Sequence, residues 1–257
     1  MKVDWSPLTI ELSLWRRDAL PLSLWWRDDD AVAATPELSR LSAAASALGL
    51  PVHVAVIPAL IEQTLAPEIV QDHNLIPVIH GWRHLSHAPK GAKNAEFGHM
   101  RDDALSELDQ AYIRMVEVFG PSLVPMFVPP WNRIAPEFLP ILAKAGYRGL
   151  STYGPRASVQ AAEGLVEINT HIDPIFWRGD RDFADAQTLI GKLVTTLQDR
   201  RLNRTDLNEP LGLLTHHLVH TDDVWTFSFD VLRVLLDGGA IPADIGTLLQ
   251  AGRRPSI

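Results

Sequence analysis

The sequence predicts an α/β protein, folded as a (β/α) barrel of about seven parallel strands. Short apolar segments alternate with helical patterns over nearly all of the 257 residues, as expected when parallel strands are joined by crossover helices. Polar clusters follow several of the apolar segments directly. An apolar content of 46% is enough to bury a large core.

Seven segments are short and apolar enough to be strands. They cover residues 22–27, 52–57, 75–79, 125–128, 148–151, 165–168 and 211–215. The first helix is predicted to begin at Thr35, which can cap it, with Pro36 in its first turn, and to end at Gly49. Further helices are predicted at residues 102–119, 136–145, 184–201 and 222–236, each followed by a glycine or a polar segment.

Residues 21–257 are predicted to form one domain, and residues 1–20 to form an N-terminal arm that covers one end of the barrel or packs against a neighbour. Residues 81–98 lack a clear periodicity and follow the third strand directly. Long irregular loops in compact domains are often functional. We therefore expect this loop to contribute to a site.

Composition argues against several classes of partner and site. A net charge of -8, with no run of Lys or Arg longer than two, argues against nucleic acids and anionic membranes. The absence of cysteine excludes disulfides, thiolate zinc sites and a cysteine nucleophile. No signal-peptide pattern and no run of about 20 apolar residues is found. We expect a cytoplasmic protein, although a mature secreted chain would have the same features, and the oligomeric state is not determined.

Three consecutive aspartates, residues 28–30, come directly after the first strand and Arg27. Carboxylates this close repel one another and raise one another's pKa unless a cation shares the site, and the candidates are Arg27 and a metal ion. His80 and His84 follow the third strand, four positions apart. Together these residues predict an Asp/His/His metal site.

Polar residues also follow the fourth and the last predicted strands. They are the Pro129 to Arg133 segment and the pair His216 and His217. Active sites of parallel barrels lie at the carboxyl ends of the strands, because several loops meet at one cavity there. We therefore expect these residues to share a cavity with the aspartates and His80.

In this order the motifs resemble those of the polysaccharide deacetylases, carbohydrate esterase family 4, over residues 22–217. The family's first motif ends in two aspartates, and its second has two histidines separated by three residues, as His80 and His84 are. Its third, Arg, any residue, Pro, then Tyr or Trp, is matched by residues 128–131. Its fifth, Leu, any residue, His, is matched by residues 214–216. The resemblance implies a distorted (β/α) barrel.

This chain departs from the family pattern twice. Val128 stands where the third motif has an arginine that neighbours the catalytic aspartate, and Arg27 could supply that charge instead. The third aspartate leaves two registers open, Asp28/Asp29 and Asp29/Asp30. Divergent members with the pattern Arg, any residue, Asp, Asp favour the second register.

The resemblance implies a role for each candidate residue. Asp29 would be the base that takes a proton from water. His216, or alternatively His217, would be the acid that protonates the leaving amine. Asp30, His80 and His84 would bind a divalent ion, with Zn²⁺ as the first expectation and Co²⁺, Ni²⁺ or Fe²⁺ as alternatives.

The remaining candidates fall into three groups. Arg27, Pro130, Trp131 and Asn132 are predicted to bind substrate, with Trp131 lining the acetyl pocket. Asp28, His87 and His217 are secondary candidates, His87 either as a third imidazole or as an ordinary loop residue. Arg133, Trp177 and Arg178 are predicted at the rim, and Asp173 is predicted to orient the acid histidine.

The sequence therefore predicts a metal-dependent hydrolase that removes an N-acetyl, or less expectedly an O-acetyl, group from a sugar, a glycan or a related small molecule. Two alternatives remain open. One is an amidase that acts on a cyclic imide or another non-sugar amide, and the other is a non-catalytic carbohydrate-binding relative. Candidates for all three metal ligands, for the base and for the acid are present, which favours an enzyme.

Overall fold

A mostly parallel sheet flanked by helices organises the part of the chain that the structure describes. The structure is a computed structural model, and it describes residues 3–177, 179 and 182–251. Arg178, predicted at the rim of the site, lies outside the described residues. The predicted α/β class is confirmed, and most of the described strands pair in parallel.

The strands form one sheet in the order β6-β7-β5-β4-β3-β2-β1-β8, with β9 beside β1. Only β6 pairs antiparallel to its neighbour among the described strands. All seven predicted segments overlap a strand, and the short strands β6 and β9 are additional. The bounds are β1 Ser23–Ala31, β2 Val52–Val56, β3 Leu75–His80, β4 Met126–Val128, β5 Gly149–Leu150, β6 Gln160–Ala162, β7 Leu165–Glu167, β8 Leu211–Thr215 and β9 Ile241–Pro242.

The helices include all those predicted and three more, α1, α3 and α8. Their bounds are α1 Ser6–Arg17, α2 Pro36–Leu48, α3 Leu65–Gln71, α4 Ala104–Phe119, α5 Leu139–Ala145, α6 Ala186–Arg201, α7 Asp222–Asp237 and α8 Ile245–Ala251. In α2, Thr35 Oγ1 accepts from the Leu38 N–H at 3.1 Å, and Gly49 ends the helix with φ +60°. Among the described helices, none has the length and apolar character needed to cross a membrane.

Helix α1 lies inside the predicted N-terminal arm and packs against α6. Leu8, Leu12 and Trp15 are buried in the main core, and Arg201 of α6 forms an ion pair with Glu11 at 2.7 Å. Helix α1 therefore contributes to the main core. The division into an arm and a barrel domain stays a prediction.

Strand β1 presents two different faces to the rest of the protein. Leu24 and Trp26 belong to the main core, which includes buried residues of α1, α2 and α4. Trp25 belongs to a second apolar cluster with Ala55 of β2 and Val78 of β3. Side chains alternate between the two faces of a strand. Arg27 and Asp29 therefore lie on the same face of β1 as Trp25, whereas Asp28 lies on the face of Trp26.

Candidate metal centre

Asp30, His80 and His84 come together at the carboxyl ends of β1 and β3. Asp30 Oδ1 lies 3.1 Å from His80 Nε2 and 3.3 Å from His84 Nε2. Within the described part of the chain, these three form the one group of three His, Asp or Glu side chains whose ligand atoms all lie within 4.8 Å of one another. One carboxylate oxygen and two imidazole nitrogens are a donor set that suits zinc and leaves coordination positions free.

A backbone irregularity turns Asp30 toward the two histidines. Simple alternation would place Asp30 on the same face as Asp28, away from Asp29. The register between β1 and β2 shifts between Asp28 and Ala31, and Asp30 has φ +77°. A bulge of this kind re-aims a side chain. Asp29 and Asp30 consequently line the same cavity.

Hydrogen bonding prepares His80 for an ion at Nε2. Its Nδ1 lies 3.0 Å from the Val128 carbonyl oxygen. A carbonyl only accepts hydrogen bonds, so Nδ1 carries the proton and the Nε2 lone pair is directed at Asp30 in the neutral ring. Such outer hydrogen bonds are typical of metal-binding histidines.

Burial and neighbouring charges shift the pKa values of Asp30, His80 and His84 in different directions. Burial alone would raise the pKa of Asp30, but the hydrogen bond with His80 and the charges of the nearby imidazoles hold that pKa below its usual range. Burial and the charge of His80 lower the pKa of His84. The pKa of His80 is raised, because Asp29 and Asp30 together outweigh its burial. A proton and a metal ion therefore compete for His80.

Arg27 holds Asp29 in a bidentate ion pair. Arg27 Nε lies 2.9 Å from Asp29 Oδ1, and Nη2 donates to Oδ2 at 3.0 Å. The remaining donors bind Asn132 Oδ1 at 2.6 Å and Ser151 Oγ at 2.7 Å. Arg27 is 0% exposed, so the prediction that it contacts substrate is corrected: it lies beneath Asp29. Its guanidinium therefore supplies a positive charge directly beside the Asp29 carboxylate.

An open cavity of about 950 Å³ lies over the centre. It is lined by both predicted catalytic residues, the three predicted ligands and two of the predicted substrate-binding residues, namely Asp29, His216, Asp30, His80, His84, Trp131 and Asn132. The ring centroids of Trp131 and His84 lie 4.3 Å apart. Pro130 is buried next to Gly81, so it supports the wall of the cavity.

The two alternative residues at the strand ends lie on the other side of β1. Asp28 Oδ2 accepts from Thr215 Oγ1 at 2.6 Å and from the His217 N–H at 3.0 Å, and its Oδ1 contacts His217 Nδ1. Both side chains are buried and neither lines the cavity. The structure thus directs the Asp29/Asp30 pair and His216 to the cavity, and ties Asp28 to His217 behind it.

His87 lies outside the group of metal ligands. It belongs to the loop after β3, where its backbone N–H donates to the Ala95 carbonyl at 2.9 Å. Of the two alternatives predicted for His87, a third imidazole at the metal site or an ordinary loop residue, this position favours the loop residue.

Comparison with known proteins gives a match in fold alone. No protein-family model matches the chain, and no curated protein is similar to it in sequence. A family 4 carbohydrate esterase from Streptomyces lividans, solved with acetate, has a TM-score of 0.54 at 15% identity over 91% of this chain and 97% of that one. A family 4 acetyl xylan esterase from Clostridium thermocellum, solved with cobalt, has a TM-score of 0.55 at 12% identity over 89% and 90%.

This chain has the polysaccharide-deacetylase fold. The resemblance inferred from the motifs is thereby confirmed at the level of the fold. A pseudoenzyme of carbohydrate esterase family 4 from Bacillus anthracis is also similar, with a TM-score of 0.59 at 13% identity over 89% of this chain and 66% of that one. The polysaccharide-deacetylase fold therefore occurs with and without activity.

Asp173 lies near His216 in this polysaccharide-deacetylase fold and is linked to it through Trp177. Its Oδ2 accepts from Trp177 Nε1 at 2.6 Å, and the Trp177 ring lies 4.7 Å from that of His216. Burial raises the pKa of Asp173, although the charge of His216 opposes the rise. Asp173 is thus connected to the predicted acid, His216, through the Trp177 ring, which contacts both residues.

Sequence reasoning missed one buried acid near the centre, Glu96. Its carboxylate accepts from the Trp82 and Arg83 N–H groups, between the two metal-site histidines. The glutamate lies in a loop with no periodicity, so no sequence pattern marked it. The rim residue Arg133 does line the cavity, as predicted, and donates to the Asn94 carbonyl at 2.8 Å.

Gly81, directly after His80, is predicted to tolerate no side chain. It has φ +56°, and a Cβ there would lie 2.1 Å from Glu96 Oε2 and 2.6 Å from Pro130 Cδ. Gly49 has a similar φ of +60° with no atom within 4 Å. We expect Gly81→Ala to lose about 1–3 kcal/mol more unfolding free energy than Gly49→Ala, because the clash adds to the same backbone strain. Urea denaturation of the metal-free proteins measures both, and equal losses would contradict the crowding.

Proposed function

We propose that this chain is a divergent metal-dependent deacetylase of carbohydrate esterase family 4. Its substrate would carry an N-acetyl or O-acetyl group on a sugar or a related molecule. The observation that carries the proposal is the convergence of Asp30, His80 and His84 on one point, beside Asp29, in an open cavity. The polysaccharide-deacetylase fold supports it.

We further infer that the sheet curls into the distorted barrel of that family. A parallel bridge pairs Ile172, after β7, with Leu213 of β8. Because β7 and β8 lie toward opposite ends of the strand order, this bridge brings the two ends of the sheet together. The predicted cavity at the carboxyl ends of the strands follows from such a closure.

The proposed mechanism divides the chemistry between an ion and the chain. Asp30, His80 and His84 would hold a divalent ion, which supplies a water of lowered pKa and polarises the acetyl carbonyl. Zn²⁺ is the first expectation, while nitrogen and oxygen donors also suit Co²⁺, Ni²⁺ and Fe²⁺.

The residues around the ion would move the protons. Asp29 takes the proton of the attacking water, and its bidentate contact with Arg27 keeps the carboxylate aligned. His216 donates a proton to the departing amine or alcohol. Trp131 and Trp177 pack against His84 and His216 and restrict the positions that substrate and water can take.

Two other functions compete with this proposal. A non-catalytic relative would be expected to lose a ligand or the base, whereas the candidates for all of them line the cavity of this chain. An amidase acting on a cyclic imide would use the same ion and base, and among the described residues that line the cavity none is specific to a sugar ring. The amidase is therefore the second candidate.

An acetate-release assay with metal-loaded protein separates these functions. We expect acetate from chitooligosaccharides or UDP-N-acetyl sugars, and no ring opening of cyclic imides. Ring opening alone would establish the amidase. Ligand binding without any turnover, in protein shown to hold metal, would establish the binding relative and end the proposal.

Metal binding itself is predicted to raise stability. Zn²⁺ at 100 times its dissociation constant should add about 2.7 kcal/mol to the unfolding free energy, measured by thermal or urea denaturation with and without the ion. His84→Ala should abolish most of this gain. His87→Ala, a histidine of the same loop outside the group, is the matched control and should retain it. A gain that survives His84→Ala would place the ion elsewhere.

A further inference from the structure

Glu96 places a buried carboxylate against the loop that joins the two metal-site histidines. It is 1% exposed. Its Oε2 accepts from the Trp82 N–H at 3.0 Å, and its Oε1 accepts from the Arg83 N–H at 2.7 Å. Both oxygens therefore bind backbone groups, and those groups belong to the segment between His80 and His84.

Neighbouring core residues determine the position of Glu96. Phe97 is fully buried and packs edge-on against Phe127 and Phe138, with centroid distances of 5.5 and 5.6 Å. On the other side, the Ala95 N–H donates to Ser86 Oγ at 3.2 Å. The carboxylate is thus anchored to the protein core, which lets it act on the loop as a rigid support.

The loop adopts a conformation that needs support. Gly81 and His84 both have φ +56°, and His84 is a non-glycine residue in the left-handed region. Trp82 and Arg83, whose N–H groups bind Glu96, lie between them. Gly81 also approaches Glu96 so closely that no Cβ would fit. The backbone shape that directs His84 toward Asp30 therefore depends on contacts made by Glu96.

We propose that Glu96 is a positioning residue for the metal centre: it holds the Trp82–Arg83 backbone so that both imidazoles reach one ion. The inference rests on the metal site of the proposed function. Residues that orient metal ligands typically change metal affinity by 10–100-fold when they are replaced.

Replacing Glu96 with glutamine tests this role. The amide keeps the size of the side chain but loses the charge, and its NH₂ group faces one of the two backbone donors. We expect Glu96→Gln to bind Zn²⁺ about 10–100-fold more weakly by calorimetry. In the metal-free protein, amide hydrogen exchange at Trp82 and Arg83 should become faster.

Glu209→Gln is the matched control. Glu209 is 2% exposed and accepts from two backbone N–H groups, those of Arg156 and Asn169, but it does not line the cavity. This variant should lose stability and keep the Zn²⁺ affinity of the wild type. An equal loss of affinity in both variants would reduce Glu96 to a general structural role and overturn the inference.

The remaining outcomes are also decisive. Unchanged Zn²⁺ affinity in folded Glu96→Gln would overturn this inference and leave the proposed function standing. A wild-type chain that binds no divalent ion would overturn both. If Glu96→Gln does not fold, Glu96→Asp keeps the charge but is too short to reach both donors, and wild-type affinity in that variant would contradict the positioning role.

Discussion

Asp29→Asn should bind Zn²⁺ as the wild type does, yet release acetate about 10²–10⁴ times more slowly. The amide can still accept hydrogen bonds from Arg27, but it cannot take a proton from water. The three proposed ligand atoms belong to Asp30, His80 and His84 and remain in place. Calorimetry measures the Zn²⁺ affinity, and an acetate-release assay at saturating metal measures the turnover.

Asp206→Asn controls for the loss of a carboxylate beside a buried arginine. Asp206 accepts from Nε and Nη2 of Arg156 at 2.9 and 2.8 Å, and it does not line the cavity. We expect this variant to keep normal turnover. Undiminished turnover in Asp29→Asn would remove Asp29 from the role of base.

Arg27→Met should lower the unfolding free energy of the metal-free protein by about 3–5 kcal/mol. The methionine fills part of the space but leaves the buried Asp29 carboxylate without its partner. The substitution also removes the guanidinium N–H groups that donate hydrogen bonds to Asn132 and Ser151. Urea denaturation monitored by tryptophan fluorescence gives the difference, and a loss below about 1 kcal/mol would show that the ion pair contributes little.

A second substitution distinguishes the free-energy cost of the unpaired Asp29 carboxylate from the cost of the packing lost in Arg27→Met. The double variant Arg27→Met/Asp29→Asn should be more stable than Arg27→Met alone, because the neutral amide is less costly to bury unpaired than a carboxylate. A double-mutant cycle with both single variants gives the coupling energy. If the two losses simply add, the contact between Arg27 and Asp29 is not the source of the destabilisation.

Several features of this fold and site were predictable because they depend on local patterns. Thr35 and Gly49 marked the ends of α2 through capping chemistry that acts within a few residues. Arg27 and Asp29 lie two residues apart on one strand, so alternation alone places their side chains on the same face. His80 ends a buried strand and His84 follows it, and the carboxyl ends of the strands in a parallel sheet meet at one edge.

Other features depended on contacts between distant segments. Alternation by itself would put Asp28 and Asp30 together, and the bulge opposite β2 reverses this for Asp30. His216 and His217 are adjacent in sequence, and the contact of His217 with Asp28 leaves His216 to face the cavity. The sequence did not predict that the N-terminal arm contains helix α1 packed on the core. The apolar residues of α1 are buried only because α6, far away in the sequence, packs against them.

The sequence alone determined which residue types lie at or near the carboxyl ends of which strands, and hence the order of the motifs and the chemistry available to them. Those properties follow from the composition and spacing of short segments. The tertiary structure decided which aspartate turns to the histidines, which histidine faces the cavity, and that Glu96 supports the loop between His80 and His84. Each of these depends on a bulge or a hydrogen bond between segments far apart in the chain, and no local pattern encodes such a contact.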